Sequence, residues 1–180
     1  IDQWLSEQGK TVPQGYSMGV GMVFLPQDEN KAARCREIVN AVIEKEELQV
    51  LGWREVPVNR DVVGPQAKEV APEIEQIIVA SPQSGDDLER QLYLARRSIG
   101  QVLQRESDIV WQEELYFCSF SGRTIVYKAM VRSAVLGDFY LDLQNPDYQT
   151  SFAVYHRRFS TNTMPKWPLA QPMRLLGHNG

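Results

Sequence analysis

The chain has 180 residues, 43% of them hydrophobic and 23% charged, which suits one ordinary globular domain and excludes a wholly disordered, collagen-like or fibrous chain. Nineteen basic and 23 acidic residues leave a net charge of -4, which disfavours nucleic acid as the main partner because neutralising phosphates requires clustered Lys and Arg. No apolar run approaches the ~18–20 residues that span a bilayer, and two distant cysteines, Cys35 and Cys118, cannot form the framework of a small disulfide-stapled domain.

Residues 17–26, from Ser17 to Pro26, form a continuous apolar run ended by proline, which predicts a buried strand. Asp28 can cap a helix starting just after it. Over residues 30–48, Ala32, Cys35, Ile38, Val39, Val42 and Ile43 recur at three- and four-residue spacing, with charged residues on the other face, and predict that helix. Residues 49–58 are rich in β-branched and aromatic side chains, and Pro57 confines them to a strand end or edge. Residues 59–72, with Gly64-Pro65 and Pro72, read as a connecting loop. Ile74, Ile77, Ile78 and Val79 predict a short strand closed by Ser81-Pro82. Asp86 or Asp87 then opens a second helix on the face of Leu88, Leu92, Ala95, Ile99, Val102 and Leu103.

From residue 114 to 131 the period becomes two, interrupted at Ser121-Gly122, which predicts a β-hairpin. A short helix over residues 133–140 and a polar turn at Asn145-Pro146-Asp147 lead into a predicted strand over 151–161. A last apolar strand is expected over 173–180. Strands outnumber helices and include a hairpin, so the expected fold class is α/β in the layered α+β sense. An antiparallel-rich sheet with helices packed on it is favoured over a doubly wound parallel sheet. Strands apolar on both faces point to a layered sandwich.

Gly19-Val20-Gly21 is not a dinucleotide fingerprint, since the third glycine would fall where Phe24 stands and these glycines open a strand; close packing accounts for them better. His156 and His178 are the only histidines, and neither cysteine has a ligand at suitable spacing, so no metal site is expected. Cys35 on the apolar helix stripe and Cys118 among Tyr116, Phe117 and Phe120 read as small buried hydrophobes. Ser160 and His156 lack the glycine-flanked elbow of a serine nucleophile.

Arg157-Arg158-Phe159-Ser160-Thr161-Asn162-Thr163 collects guanidinium, hydroxyl and amide groups where a strand is expected to run out. Side chains alternate along a strand, so only one of the two arginines would serve a given pocket, where its planar fork can clamp a carboxylate. Pairing of these arginines with surface acids is the plainer alternative. His178-Asn179-Gly180 can aim a side-chain amide and a backbone N–H at one oxyanion, or simply form a turn.

Taken together, these segments resemble the class II glutamine amidotransferase domain of the glutamate synthases, which has the N-terminal-nucleophile hydrolase fold. The resemblance is carried by Arg158-Phe159-Ser160-Thr161-Asn162-Thr163, by residues 165–172 (Pro-Lys-Trp-Pro-Leu-Ala-Gln-Pro) and by His178-Asn179-Gly180. Leu51-Gly52-Trp53-Arg54 and Ser121-Gly122-Arg123-Thr124-Ile125-Val126-Tyr127-Lys128 agree as well, and Tyr155-His156-Arg157-Arg158 is most like the ferredoxin-dependent type.

The resemblance implies an αββα sandwich of mostly antiparallel sheets, present here as a fragment of the domain. Arg158 would bind the α-carboxylate of L-glutamine, with Thr161 and Asn162 completing the pocket, while Asn179 and Gly180 would form the oxyanion hole. An N-terminal cysteine would be the nucleophile. Residue 1 is Ile, so the chain reads as an excerpt, 1–180 being a partial amidotransferase domain that lacks the nucleophile segment and its C-terminal part, and is expected not to hydrolyse glutamine alone. No cofactor is expected in this segment. For the parent enzyme the resemblance implies FMN, an iron–sulfur cluster, ferredoxin as partner, synthase domains that join ammonia to 2-oxoglutarate, and a place in the cytoplasm or plastid stroma; neither nucleic acid nor a membrane is an expected partner. The competing readings are a catalytically silent amidotransferase-like module, told apart by the residue at the mature N-terminus, and the glutaminase of a different amidotransferase, told apart by the sequence beyond Gly180.

Overall fold

In a computed structural model that describes residues 1–105 and 109–174, the apolar run after Tyr16 forms β1 (Ser17–Leu25). It pairs on one side with β3 (Glu73–Ser81) and on the other with β4 (Tyr116–Ser121), while β2 (Gln49–Glu55) lies outside β3. All three pairings are antiparallel, in the order β2-β3-β1-β4. β1 and β3 run in unbroken register from Ser17 opposite Ser81 to Leu25 opposite Glu73.

Two long helices cover one face of this sheet. Asp28 caps α2 (Glu29–Lys45), accepting the Lys31 N–H at 2.9 Å and so satisfying one of the donors a helix start leaves open. Leu88, Leu92, Ala95, Ile99 and Leu103 form the buried stripe of α4 (Gly85–Leu103). These residues pack with Ile38, Val42 and Ile43 of α2 onto Val23, Leu25, Ile77, Val79 and Phe117 of the sheet. Glycines of β1 leave room for that packing: a Cβ on Gly19 would stand 2.9 Å from Leu92 of α4, and one on Gly21 would stand 2.7 Å from Ile77 Cγ2 and 3.2 Å from both Phe117 and Phe120 of the neighbouring strands. Gly21→Val is therefore expected to lower the urea midpoint by the equivalent of about 2 kcal/mol, as over-packing does.

The opposite face is buried too, which is why the strands read as apolar on both sides. A short α1 (Asp2–Glu7), not anticipated from the sequence, brings Trp4 and Leu5 onto Leu51, Ile78 and Ala80. Further along, Met22, Phe24, Ile74, Tyr116 and Cys118 lie beneath Val56, Ala67, Phe139, Tyr140 and Trp167. Ala67 belongs to α3 (Pro65–Glu69), which together with a 3-10 turn at Arg60–Val62 occupies the expected loop. Pro65 stands in the first helical turn, where a missing N–H costs nothing, so Gly64-Pro65 marks a helix start.

The expected short helix appears as a 3-10 turn at Ser133–Val135 continuing into α5 (Leu136–Phe139). A 3-10 turn at Leu141–Gln144 comes next, and its Asp142 carboxylate accepts both arms of Arg54 on β2, at 2.7 and 2.8 Å, and the Tyr127 hydroxyl at 3.1 Å. Arg54 also donates to Gln76 Oε1 at 2.9 Å. This network ties the cap over the second face to the sheet.

Among the described residues, the strands expected past Ser121 do not form. The return arm of the hairpin is not a strand: past Ser121 the chain is received by serine side chains and not by a ladder of backbone bonds. Ser121 Oγ accepts the N–H groups of Arg123 and Thr124 at 3.0 and 3.1 Å, and Ser119 Oγ accepts that of Val126 at 3.1 Å. Residues 151–161 likewise form neither strand nor helix and are largely exposed. The alternation that apolar residues show there has no neighbouring strand to pair with among the described residues. Of the last predicted strand, Met173 and Arg174 are not in a strand, and residues 175–180 lie outside the described residues.

Candidate functional site

The segments that leave β4 and those beyond Tyr148 enclose a cavity of about 1120 Å³. It is lined by Ser119 and Ser121 of β4, by Tyr93 and Arg96 of α4, by residues 123–129, and by Arg157, Arg158 and Arg174.

Charge is distributed unevenly here. Among the described residues Arg96, Arg123, Lys128, Arg157, Arg158 and Arg174 all line the cavity, against Glu89 as the one acid, although the chain as a whole is negative. Glu89 is already engaged, accepting the Ser121 hydroxyl and the Gly122 N–H, both at 2.8 Å. Arg123 pairs with the exposed Asp86 at 2.7 Å. Burial, and then the neighbouring Arg174 charge, push the Arg96 guanidinium below its ordinary pKa. Such a basin favours an anionic group, because fixed positive charges with few counter-charges gain most from one.

Of the residues singled out in the sequence, Arg158 lines this cavity, and its guanidinium is exposed. Its N–H reaches His156 Nδ1 at 3.4 Å. Thr161 and Asn162 are exposed in a turn closed by the Thr163 N–H on the Ser160 carbonyl, at 3.2 Å, and are not on the cavity wall. Asn162 has a φ of 63°, a left-handed value that asparagine tolerates better than most residues. Asn179 and Gly180 lie outside the described residues. Arg157 and Arg158 are not separated by the expected strand alternation, since the segment is not a strand and both line the cavity.

A strap comprising residues 167–174 connects this turn to the body of the protein. It begins in a 3-10 turn at Trp167–Leu169, whose Trp167 Nε1 donates to the Ala67 carbonyl at 2.9 Å while its ring meets Phe24 edge-on. Gln171 Nε2 donates to Ser160 Oγ at 2.8 Å, and Arg174 donates to the Phe117 carbonyl while covering the Tyr116 ring. Lys128, 1% exposed, is enclosed beneath it. An isolated lysine inside the apolar run Ile125-Val126-Tyr127-Lys128-Ala129-Met130 was the sequence signal for this residue; Arg96 and Arg174 carried none.

Neither cysteine is an accessible nucleophile. Both are buried, outside any disulfide, and on opposite faces of the sheet. Burial pushes the Cys118 thiol up to about 12 despite the nearby Lys128 and Arg174 charges. Among the described residues no cluster of His, Cys, Asp or Glu could hold a metal ion, and no helix is long and apolar enough to cross a membrane.

The family model described as glutamine amidotransferases class-II matches residues 1–180. The chain is 59% identical over 182 residues to "Ferredoxin-dependent glutamate synthase 2" of Synechocystis sp., which covers 100% of this chain and 11% of that protein. It is 55% identical over 182 residues to the chloroplastic ferredoxin-dependent glutamate synthase of Oryza sativa subsp. japonica, again 100% and 11%. With the large chain of the NADPH glutamate synthase of Azospirillum brasilense the identity is 44% over 168 residues, covering 91% of this chain and 11% of the relative. The chain thus spans 11% of the length of these curated relatives.

Proposed function

The chain belongs to the class II glutamine amidotransferases, and from that premise we propose that it is part of the glutaminase domain of a ferredoxin-dependent glutamate synthase. The observation that carries this reading is the basic cavity lined by Arg158, in a chain similar from end to end to enzymes of that name. In the proposed reaction Arg158 takes the α-carboxylate of L-glutamine through two parallel hydrogen bonds, a geometry that a lysine cannot reproduce. Thr161 and Asn162, in the exposed turn beside the cavity, would complete the pocket around the rest of the amino acid. Asn179, through its side-chain amide, and Gly180, through its N–H, donate to the oxyanion as the amide carbon becomes tetrahedral. Each such donor is worth roughly 3–4 kcal/mol in the transition state.

The attacking thiolate comes from a cysteine outside these 180 residues, whose own α-amine takes the thiol proton. An α-amine titrates near ~7.7–8.0 and can do this at neutral pH. The burial of Cys35 and Cys118 supports that assignment. The liberated ammonia would go to the synthase domains for addition to 2-oxoglutarate, with ferredoxin as electron donor. An iron–sulfur cluster does not fit here, since two cysteines buried on opposite sheet faces cannot share one, and both the cluster and FMN are assigned to other domains of the parent protein. Relatives named from a cyanobacterium and from chloroplasts support a cytoplasmic or plastid setting.

Glutamate release from glutamine decides the matter. Supplied with 2-oxoglutarate and reduced ferredoxin, the full-length protein is expected to consume glutamine and form two glutamates for each one consumed, and the isolated 180-residue chain to consume none. Hydrolysis by the isolated chain would overturn the placement of the nucleophile, and no hydrolysis by the full-length protein would overturn the proposed function.

A further inference from the structure

Lys128 is almost completely buried, and among the described residues no carboxylate lies within ion-pair distance of it. Its Nζ instead donates to the Pro168 carbonyl at 2.8 Å and to Tyr116 Oη at 3.0 Å. It also lies 3.9 Å from Met173 Sδ and 4.4 Å from the centre of the Tyr116 ring. Tyr116 Oη in turn points at Met173 Sδ, at 3.9 Å. Withdrawing an ammonium from water without a counter-charge is costly, and a methionine of similar length would fill the same space at no such cost. A buried cation of this kind is therefore a poor stabiliser. What it does supply is direction, because its contacts reach one atom near each end of the strap, Pro168 O and Met173 Sδ, and join them to Tyr116 on the edge strand β4.

We propose that Lys128 is a positioning residue for the glutamine site, holding the strap of residues 167–174 against the edge of the sheet and, through it, the substrate-binding turn. The inference rests on the proposed glutaminase function. Force is passed along a short path: Lys128 fixes Pro168 and Met173 at the ends of the strap, and Gln171 in its middle donates to Ser160, which closes the turn bearing Thr161 and Asn162. Arg158 lies two residues before that serine. Loosening the strap widens the set of orientations open to the turn, and binding must then select among them, which weakens ground-state affinity for the amino acid.

The test uses the full-length protein with Lys128→Met and Tyr116→Phe. Tyr116→Phe keeps the ring and removes only the hydroxyl between Lys128 and Met173, so it decides the question should Lys128→Met fail to fold. For Lys128→Met the KM for glutamine is expected to rise about tenfold or more, with kcat within about threefold of wild type, as for loss of a charged hydrogen bond that acts on binding. Tyr116→Phe is expected to shift KM in the same direction by about threefold. Hydrogen exchange should quicken in peptides covering residues 166–174 and remain unchanged in α2 and α4, with the thermal midpoint unchanged or raised. A wild-type KM in both variants, or a KM rise accompanied by faster exchange throughout the sheet, overturns the proposal. The glutaminase reading has its own control: if the wild-type protein hydrolyses glutamine and the variants match it, only the role of Lys128 falls.

Discussion

Replacing Arg158 by alanine is expected to raise the KM for glutamine about a hundredfold, equivalent to roughly 3 kcal/mol of lost binding, in the full-length protein. The magnitude comes from the role of the side chain: a planar guanidinium makes two charge-assisted bonds to one carboxylate, and alanine leaves that carboxylate facing a basic basin without its clamp. Arg158→Lys keeps the charge and loses the fork, so it should recover only part of the affinity. Stability should hardly change, because the Arg158 side chain is exposed, and surface substitutions of this kind stay within about 0.5 kcal/mol. Glutamine titration of the initial rate, together with a thermal melt, measures both. An unchanged KM would remove the residue on which the substrate assignment depends.

The second large effect concerns stability. Asp142→Ala is expected to destabilise the protein by about 3–5 kcal/mol, read from the urea midpoint at neutral pH. The Arg54 and Asp142 side chains are only 17% and 15% exposed and meet through both guanidinium arms. Truncating the acid leaves a largely buried guanidinium with the neutral Gln76 amide in place of a carboxylate and removes the acceptor of the Tyr127 hydroxyl. It also unfastens the turn at Leu141–Gln144 from β2.

The same pair sets a pH dependence. Burial works to raise the Asp142 carboxyl, but the hydrogen bonds and charge of Arg54 and the Tyr127 hydroxyl outweigh it, so the folded-state pKa lies below the ordinary aspartate value. A depressed folded pKa means the unfolded chain takes up the proton first. The stabilisation is therefore present above the ordinary value and is lost as pH falls through the depressed one. Wild type should lose stability into the acid range, and Asp142→Asn, which carries no titrating group there, should show a flatter acid limb.

How much was legible varied with how local the cause was. The helices α2 and α4 were visible because burial of one face imposes a period of three to four residues, and the buried stripes are Ala32 to Ile43 and Leu88 to Leu103, as anticipated. β1 and β3 announced themselves as apolar runs because both of their faces are covered. The arm after Ser121 misled because period-two patterning records alternating environments, and side-chain acceptors on Ser119 and Ser121 can receive a returning segment as well as a strand edge can. Residues 151–161 misled for a related reason: strand propensity needs a partner, and none is beside them among the described residues.

Read alone, the sequence determined the helix faces, the apolar strands, the inert cysteines and the arginine-bearing motif, because each depends on neighbours within a few positions along the chain. Tertiary structure alone decided that six basic side chains among the described residues line one cavity, that Lys128 is enclosed beneath a strap forty residues later, and that Arg54 meets Asp142 across eighty-eight positions. Those outcomes depend on which distant segments the folded sheet brings together, and the local spacing of residues carries no record of that.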